Sequence, residues 1–247
     1  MAAHDAAAAR ALPGPDFHHV LQWIHQIAKP AIYVEIGVHS GGSLTAVQPG
    51  TFAIGIDPEP REEFIPPGIQ IYRLTSSEFF RKHDLSSILG GRAVDLALID
   101  GFHLFEQALE DFCNLERYMA PEGIMAVHDT IPLNRETSSR QRVTEFYTGD
   151  VWKIVPFLSR YRPELTMTTV LTAPTGLTLI RGFDPAYRHR QLHRHIAGYR
   201  DLDFDDFVRY RAQFLQTIPN LRSAVEVFCQ KTAVQSTRLS GVVMPSR

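Results

Sequence analysis

The chain has 247 residues, 44% hydrophobic, 21% charged and 10% aromatic, the profile of a globular domain and not of a disordered, collagenous or disulfide-dense chain. Twenty-five Lys and Arg against twenty-seven Asp and Glu leave a formal charge of -2, which offers no electrostatic case for nucleic acid or an anionic membrane. No run reaches the roughly 18 apolar residues of a membrane span, and Cys113 and Cys229 are too few and too isolated for a disulfide framework or a zinc knuckle.

The alanine-rich start, Met1 to Arg10, carries Asp5 and lacks the features of a secretory signal or a basic transit peptide. A cytoplasmic protein is therefore expected. Asp16–Ala28 reads as a helix before the first strand. Short apolar, β-branched runs at 31–36, 51–56, 68–73, 93–99 and 123–127 read as strands. Helices are expected between them at 42–48, 76–83 and 104–119. In the last of these, Leu104, Phe105, Ala108, Leu109, Phe112, Leu115 and Met119 recur at helical spacing. A further helix is expected at 134–147, and 165–170 with 176–180 reads as a closing antiparallel hairpin.

Strand–helix–strand repetition predicts a doubly wound α/β fold, with a parallel sheet and helices on both faces. Past Asp184 the character changes. Tyr187–Arg200 is rich in Arg and His, and His189 with His193 should lie on a solvated basic face. Asp201, Asp203, Asp205 and Asp206 should form a helix N-terminus. Residues 207–215 and 223–229 return to helical periodicity, and Thr232–Arg247 should be disordered. The division expected is a core domain over 1–185, with its N-terminal helix, and a helical extension over 186–247. That tail packs on the core or offers a face for a homodimer.

Open parallel sheets bind ligands beyond the carboxyl ends of their strands. The first strand here runs into Glu35-Ile36-Gly37-Val38-His39-Ser40-Gly41-Gly42-Ser43. Glycines let backbone approach a ligand closely. Glu35 stands where a dinucleotide fingerprint has its first glycine, so a pyrophosphate is disfavoured there and a cationic sulfonium with an amino-acid end is suited. Asp57, twenty residues after Gly37, can accept from two ribose hydroxyls. Thr75-Ser76-Ser77 lies where an adenine would be approached.

VEIGVHSGGS, GIDPEP and DLALIDGFH resemble the class I S-adenosylmethionine-dependent methyltransferases, in the bacterial small-molecule branch that carries a D-G-x-H and then an H-D pair (methyltransferase domain 24-like). The resemblance spans about 17–185 and implies a Rossmann-like, mostly parallel seven-stranded sheet with its last strand antiparallel. It implies a cofactor set of Glu35, Gly37, Val38, Ser40, Gly41, Ser43, Asp57, Ser76, Ser77, Asp100 and His103.

The fourth and fifth strands end in Asp100-Gly101-Phe102-His103 and His128-Asp129-Thr130. Neighbouring strands lie about 4.8 Å apart, so Asp100, His128 and Asp129 should meet, and two carboxylates that close call for a cation between them. Related metal-dependent O-methyltransferases hold a divalent ion at the positions of Asp100 and Asp129, which makes Asp100, His128 and Asp129 the expected ligands of Mg²⁺ or Mn²⁺. Phe102 stands where sugar- and macrolide-methylating relatives have a basic aspartate, so His103 is the substitute catalytic base. Plainer roles are open to each. Asp100 can cap the helix from Leu104, His103 can donate to a backbone carbonyl or close over the adenine, and His128 can stabilise its loop. Asp111 is expected in a surface salt bridge. Trp152, in the run Gly149-Asp150-Val151-Trp152-Lys153 that also resembles this branch, can stack on a substrate ring or pack beneath a helix.

The function expected is S-adenosylmethionine-dependent O-methylation of a small hydroxylated metabolite, with a divalent metal as an option and no nucleic-acid or membrane partner. The alternatives are an NAD-dependent oxidoreductase and a degenerate methyltransferase fold that binds without chemistry.

Overall fold

A computed structural model describes residues 2–61 and 63–230. The elements in chain order are α1 (Ala2–Ala11), α2 (Phe17–Ala28), β1 (Ile32–Ile36), β2 (Phe52–Ile56), β3 (Gln70–Tyr72), α3 (Ser76–Lys82), α4 (Leu85–Ile88), β4 (Val94–Ile99), α5 (Phe105–Glu116) and β5 (Met119–His128). They continue with α6 (Ile154–Tyr161), β6 (Thr166–Val170), β7 (Leu177–Arg181), α7 (Ala197–Arg200), α8 (Phe204–Phe214), β8 (Thr217–Ile218) and α9 (Arg222–Gln230). The sheet runs β3-β2-β1-β4-β5-β7-β6-β8. β7 is antiparallel to both of its neighbours, and every other pairing is parallel.

The expected doubly wound architecture is the observed one, with an eighth, two-residue strand added beside β6 by the C-terminal extension. Strand parity sorts the core onto two faces. Ile32, Val34 and Ile36 of β1 pack with Phe105, Leu109 and Phe112 of α5, while Tyr33 packs with Val20, Leu21 and Ile24 of α2. Asp16 caps α2 by accepting from the His19 amide, and Thr75 with Glu78 forms a capping box on α3.

Four expectations are corrected. The stretch 134–147 is turns and bends, not helix: Asn134 accepts from the Thr137 amide, and the Thr137 carbonyl accepts from Thr148 and Gly149. Side chains that bond backbone locally compete with a helix. The helix expected to reach Met119 ends at Glu116, and Met119 opens β5. The stretch 42–48 shortens to a 3-10 turn at Ser43–Ala46. The acidic run behaves as read, with Asp203 capping α8 and Asp206 completing a capping box. His189 does not lie on a solvated face; its Nε2 is 2.7 Å from Glu116. The disorder expected for 232–247 lies outside the described residues. Among the described residues no helix is long and apolar enough to cross a membrane.

The described part of the extension, to Gln230, packs into the core. Tyr199, Phe207 and Phe214 are buried in it, Trp152 lies against Phe207 and Phe214, and α9 packs on α2. Trp152, 1% exposed, is therefore a core residue and not a stacking platform.

Candidate active site

Strand register builds the site. Ile36 pairs with Ile99, and Ile99 pairs with Val127. One residue further on, Gly37, Asp100 and His128 consequently stand side by side at the point where strand order reverses between β1 and β4, the place such sheets bind ligands. A cavity of about 730 Å³ opens there, within the usual range for small-molecule sites. Its walls include Gly37, Val38, Ser40, Ser43, Asp57, Ser76, Asp100 and His103 from the expected set.

The glycine loop is a backbone cradle. Gly37 has φ +89, and a Cβ there would sit 1.9 Å from the Asp100 carbonyl oxygen. Asp57 Oδ2 accepts from the Val38 and His39 amides at 2.9 and 2.8 Å, tying the end of β2 to this loop. The cradle, the carboxylate beside it and Ser76 on the first turn of α3 fit a nucleoside cofactor with an amino-acid end.

Glu35, Gly41 and Ser77 are not among the wall residues. Parity puts Glu35 on the α2 face with Tyr33, fully buried; the Tyr33 hydroxyl donates to Oε2 at 2.6 Å, and Ser43 Oγ lies 2.5 Å from Oε1. Gly41 turns the loop at φ +85 against Ile65. Ser77 lies toward α5, beside Gln107 and Glu110. Burial pushes the Glu35 carboxyl up to about 8 from 4.5, against the pull of Ser43 and Tyr33. A carboxyl whose pKa rises on folding stabilises the fold fully below its unfolded value and loses that contribution as pH climbs through the folded one. Glu35→Gln should therefore flatten the decline in melting temperature between pH 4.5 and about 8. A variant with the wild-type pH profile would remove Glu35 as its source.

At the other end of the cavity stand the acidic and histidine groups. His128 Nδ1 is 3.0 Å from Asp100 Oδ1 and 3.5 Å from Asp129 Oδ1. Its Nε2 is 3.2 Å from Thr175 Oγ1, which donates to Asp129 Oδ1 at 2.6 Å. Burial alone would lower the His128 pKa, but Asp100 and Asp129 outweigh it and raise it to about 9. His128 is thus an imidazolium, stacked on Phe17 with ring centroids 4.0 Å apart. Asp100, which burial would raise, is held below its ordinary value mainly by His128. Asp129 adopts φ +60, an uncommon conformation for a non-glycine residue that is often retained at functional sites.

His103 Nδ1 lies 2.7 Å from the Tyr147 carbonyl and 3.2 Å from Asp129 Oδ2. Both are acceptors, so Nδ1 carries the ring proton and Nε2 keeps its lone pair, 3.8 Å from Asp100 Oδ1. That tautomer is assigned from the surroundings. The donation to a carbonyl is the plainer role expected of His103, and it orients the ring as a base requires. Gly149 (φ +54) pins this loop, since a Cβ there would meet the His103 carbonyl oxygen at 1.7 Å. The cap of α5 comes from Asp150, which accepts from the Phe105 amide at 2.8 Å, and not from Asp100.

Asp100, His128 and Asp129 meet as expected, with His128 Nδ1 against both carboxylates and Nε2 against Thr175. Atoms of Asp100, His103 and Asp129 do come within 4.8 Å of one another. An ion among them would lie close to the buried imidazolium. That imidazolium already stands 3.0 and 3.5 Å from the Asp100 and Asp129 oxygens, so an ion would have to displace it, and the residues as arranged do not fit a divalent metal.

Sequence reasoning missed several wall residues. Phe17, His18 and Thr175 come from elements with no motif of their own. Gln107 had a signal, one helical turn after His103. Asp111 is not on the surface: it is 1% exposed, its Oδ1 accepts from Gln107 at 3.0 Å, and burial pushes its carboxyl up to about 7.

Residues 34–130 match the family model of a methyltransferase domain. No curated protein matches the chain. Among solved structures, an O-methyltransferase of Streptomyces achromogenes involved in tomaymycin synthesis, solved with S-adenosylmethionine, superimposes with a TM-score of 0.52 at 17% identity, covering 73% of this chain and 88% of that one. A Bacillus cereus O-methyltransferase solved with S-adenosylhomocysteine gives a TM-score of 0.50 at 13% identity, over 71% of this chain and 86% of that one. The fold around the matched segment is that of these two structures, as the sequence resemblance implied.

Proposed function

We propose that this protein is an S-adenosylmethionine-dependent O-methyltransferase acting on a small hydroxylated molecule. One observation carries the reading: a single cavity joins the glycine cradle, Asp57 and Ser76 at one end to His103, between two carboxylates, at the other. S-adenosylmethionine, held by the 37–43 loop, Asp57 and Ser76, supplies an electrophilic methyl group to an attacking oxygen.

The residues of this chain do the rest. The Tyr147 carbonyl orients the His103 ring through Nδ1, with the Asp129 carboxylate 3.2 Å away, which leaves Nε2 to take the proton from the acceptor hydroxyl. Asp100 and Asp129 then flank the resulting positive charge. Phe17, Phe146 and Tyr147 help wall the cavity from water, and holding the two reactants in line supplies much of the rate.

Calorimetric titration of the protein with S-adenosylmethionine, S-adenosylhomocysteine and NAD tests the cofactor. Micromolar binding of both sulfur nucleosides with no heat from NAD is expected, and binding of NAD alone would overturn the reading. With an acceptor in hand, His103→Gln should lower kcat by about 10²- to 10⁴-fold, the usual contribution of a general base. Cofactor affinity should stay within a few-fold. Unchanged turnover in that variant would take the proton-transfer role from His103.

A further inference from the structure

We propose that the His128 side chain occupies the seat of a divalent cation between the two strand-end carboxylates, so that this protein works without a metal at Asp100 and Asp129. Thr175 has a single hydroxyl proton, and it is given to Asp129 Oδ1 at 2.6 Å. At its 3.2 Å contact with His128 Nε2 the same hydroxyl must therefore accept. On the other side of the ring, Nδ1 faces Asp100 Oδ1 at 3.0 Å and Asp129 Oδ1 at 3.5 Å, oxygens that only accept. Both nitrogens consequently carry hydrogen, the ring is a cation, and it has no lone pair to offer an ion.

The surroundings hold it there. Register fixes His128 beside Asp100, because Ile99 pairs with Val127. The pairing of His128 with Leu177 brings the 175–176 turn against Asp129. The Phe17 ring covers one face of the imidazole. The two carboxylates are thereby neutralised and fixed by a covalently attached group, and proton abstraction is left to His103. His128 is a positioning residue in this scheme, acting through Asp100 and Asp129.

The test uses the full chain after treatment with a chelator. Manganous ion is titrated in and the free ion followed by paramagnetic resonance, while nitrogen NMR reports the His128 ring. The wild type should leave manganese free up to millimolar concentrations, and both His128 nitrogens should resonate as protonated. His128→Asp converts the seat into a carboxylate cluster. It should take up one manganese ion at micromolar concentration, with a rise in melting temperature that Asp129→Asn abolishes. Tight manganese binding by the wild type that is lost in Asp129→Asn, or a neutral His128 ring, would overturn the proposal. Should His128→Asp fail to fold, the wild-type titration and the nitrogen shifts decide it. Neither readout uses the nucleoside or an acceptor, so this inference stands or falls apart from the methyltransferase reading.

Discussion

Gly37→Ala is expected to reduce S-adenosylmethionine affinity by about 100-fold or more, equivalent to about 3 kcal/mol. Two effects combine at this position. A φ of +89 is strained for any L side chain, and the new Cβ would lie 1.9 Å from the Asp100 carbonyl oxygen and 2.7 Å from the Gly101 Cα. Backbone of β1 and β4 would have to separate where the cofactor cradle meets His103. Gly50 supplies the control. Its φ is +91, yet a Cβ there meets nothing within 4 Å. Gly50→Ala should cost stability through the backbone alone, on the order of 1 to 3 kcal/mol, and leave affinity unchanged. Calorimetry on the two variants checks both halves, and wild-type affinity in Gly37→Ala would refute the cradle.

The largest stability effect should come from Arg162→Ala, far from the cavity. Arg162 and Glu116 are fully buried and paired in a fork, Nη1 to Oε2 at 2.6 Å and Nη2 to Oε1 at 2.7 Å. His189 adds a third contact to the carboxylate, and the Tyr187 ring lies 3.6 Å from the guanidinium. Removing one member of a buried pair leaves the other charge uncompensated, at a cost of about 3 to 5 kcal/mol. At this chain length each kcal/mol moves the melting temperature by roughly 2 to 4 °C, so a fall on the order of 10 °C is expected. The double variant Arg162→Met, Glu116→Leu should recover much of it, because the two fully buried charges leave together and only the partly exposed His189 and Glu164 lose a partner. A single variant that melts like the wild type would show the pair to be energetically idle.

The strands and the helices that cover them were legible because burial leaves a periodic mark: an apolar run for a strand covered on both sides, a stripe for α5. The end-of-strand residues were legible for the same reason, since register follows from where each run stops. What failed depends on partners distant in sequence. Residues 134–147 have enough helix formers to suggest a helix, but Asn134 and Thr137 bond locally and Arg140 reaches Glu106 and Asp150. The two residues of β8 are too few to show a period. Phe17 and His18 reach the cavity because the start of α2 is tied to the turn before β7, where the Phe17 amide donates to the Ala173 carbonyl. His128 stands beside Asp100 and Asp129 as expected; the proposal that it is a cation there turns on the Thr175 hydroxyl, 47 residues away and beyond the reach of any local pattern.

The contact between α2 and α9 bears on the order in which the chain becomes functional during synthesis. Asn220 donates to the Pro15 carbonyl, Arg222 to Gln26, and Arg181 to the carbonyls of Phe228 and Cys229. A ribosome delivers residues at roughly 5 to 20 per second, N-terminal part first. The wall that carries Phe17 and His18 thus emerges well before the helix that braces it. Until then β6 stands as an unprotected edge, open to pairing with a neighbouring nascent chain. A premature stop before Thr217 would leave that edge bare in every molecule made, and the shortened product should form aggregates before it forms a binding site.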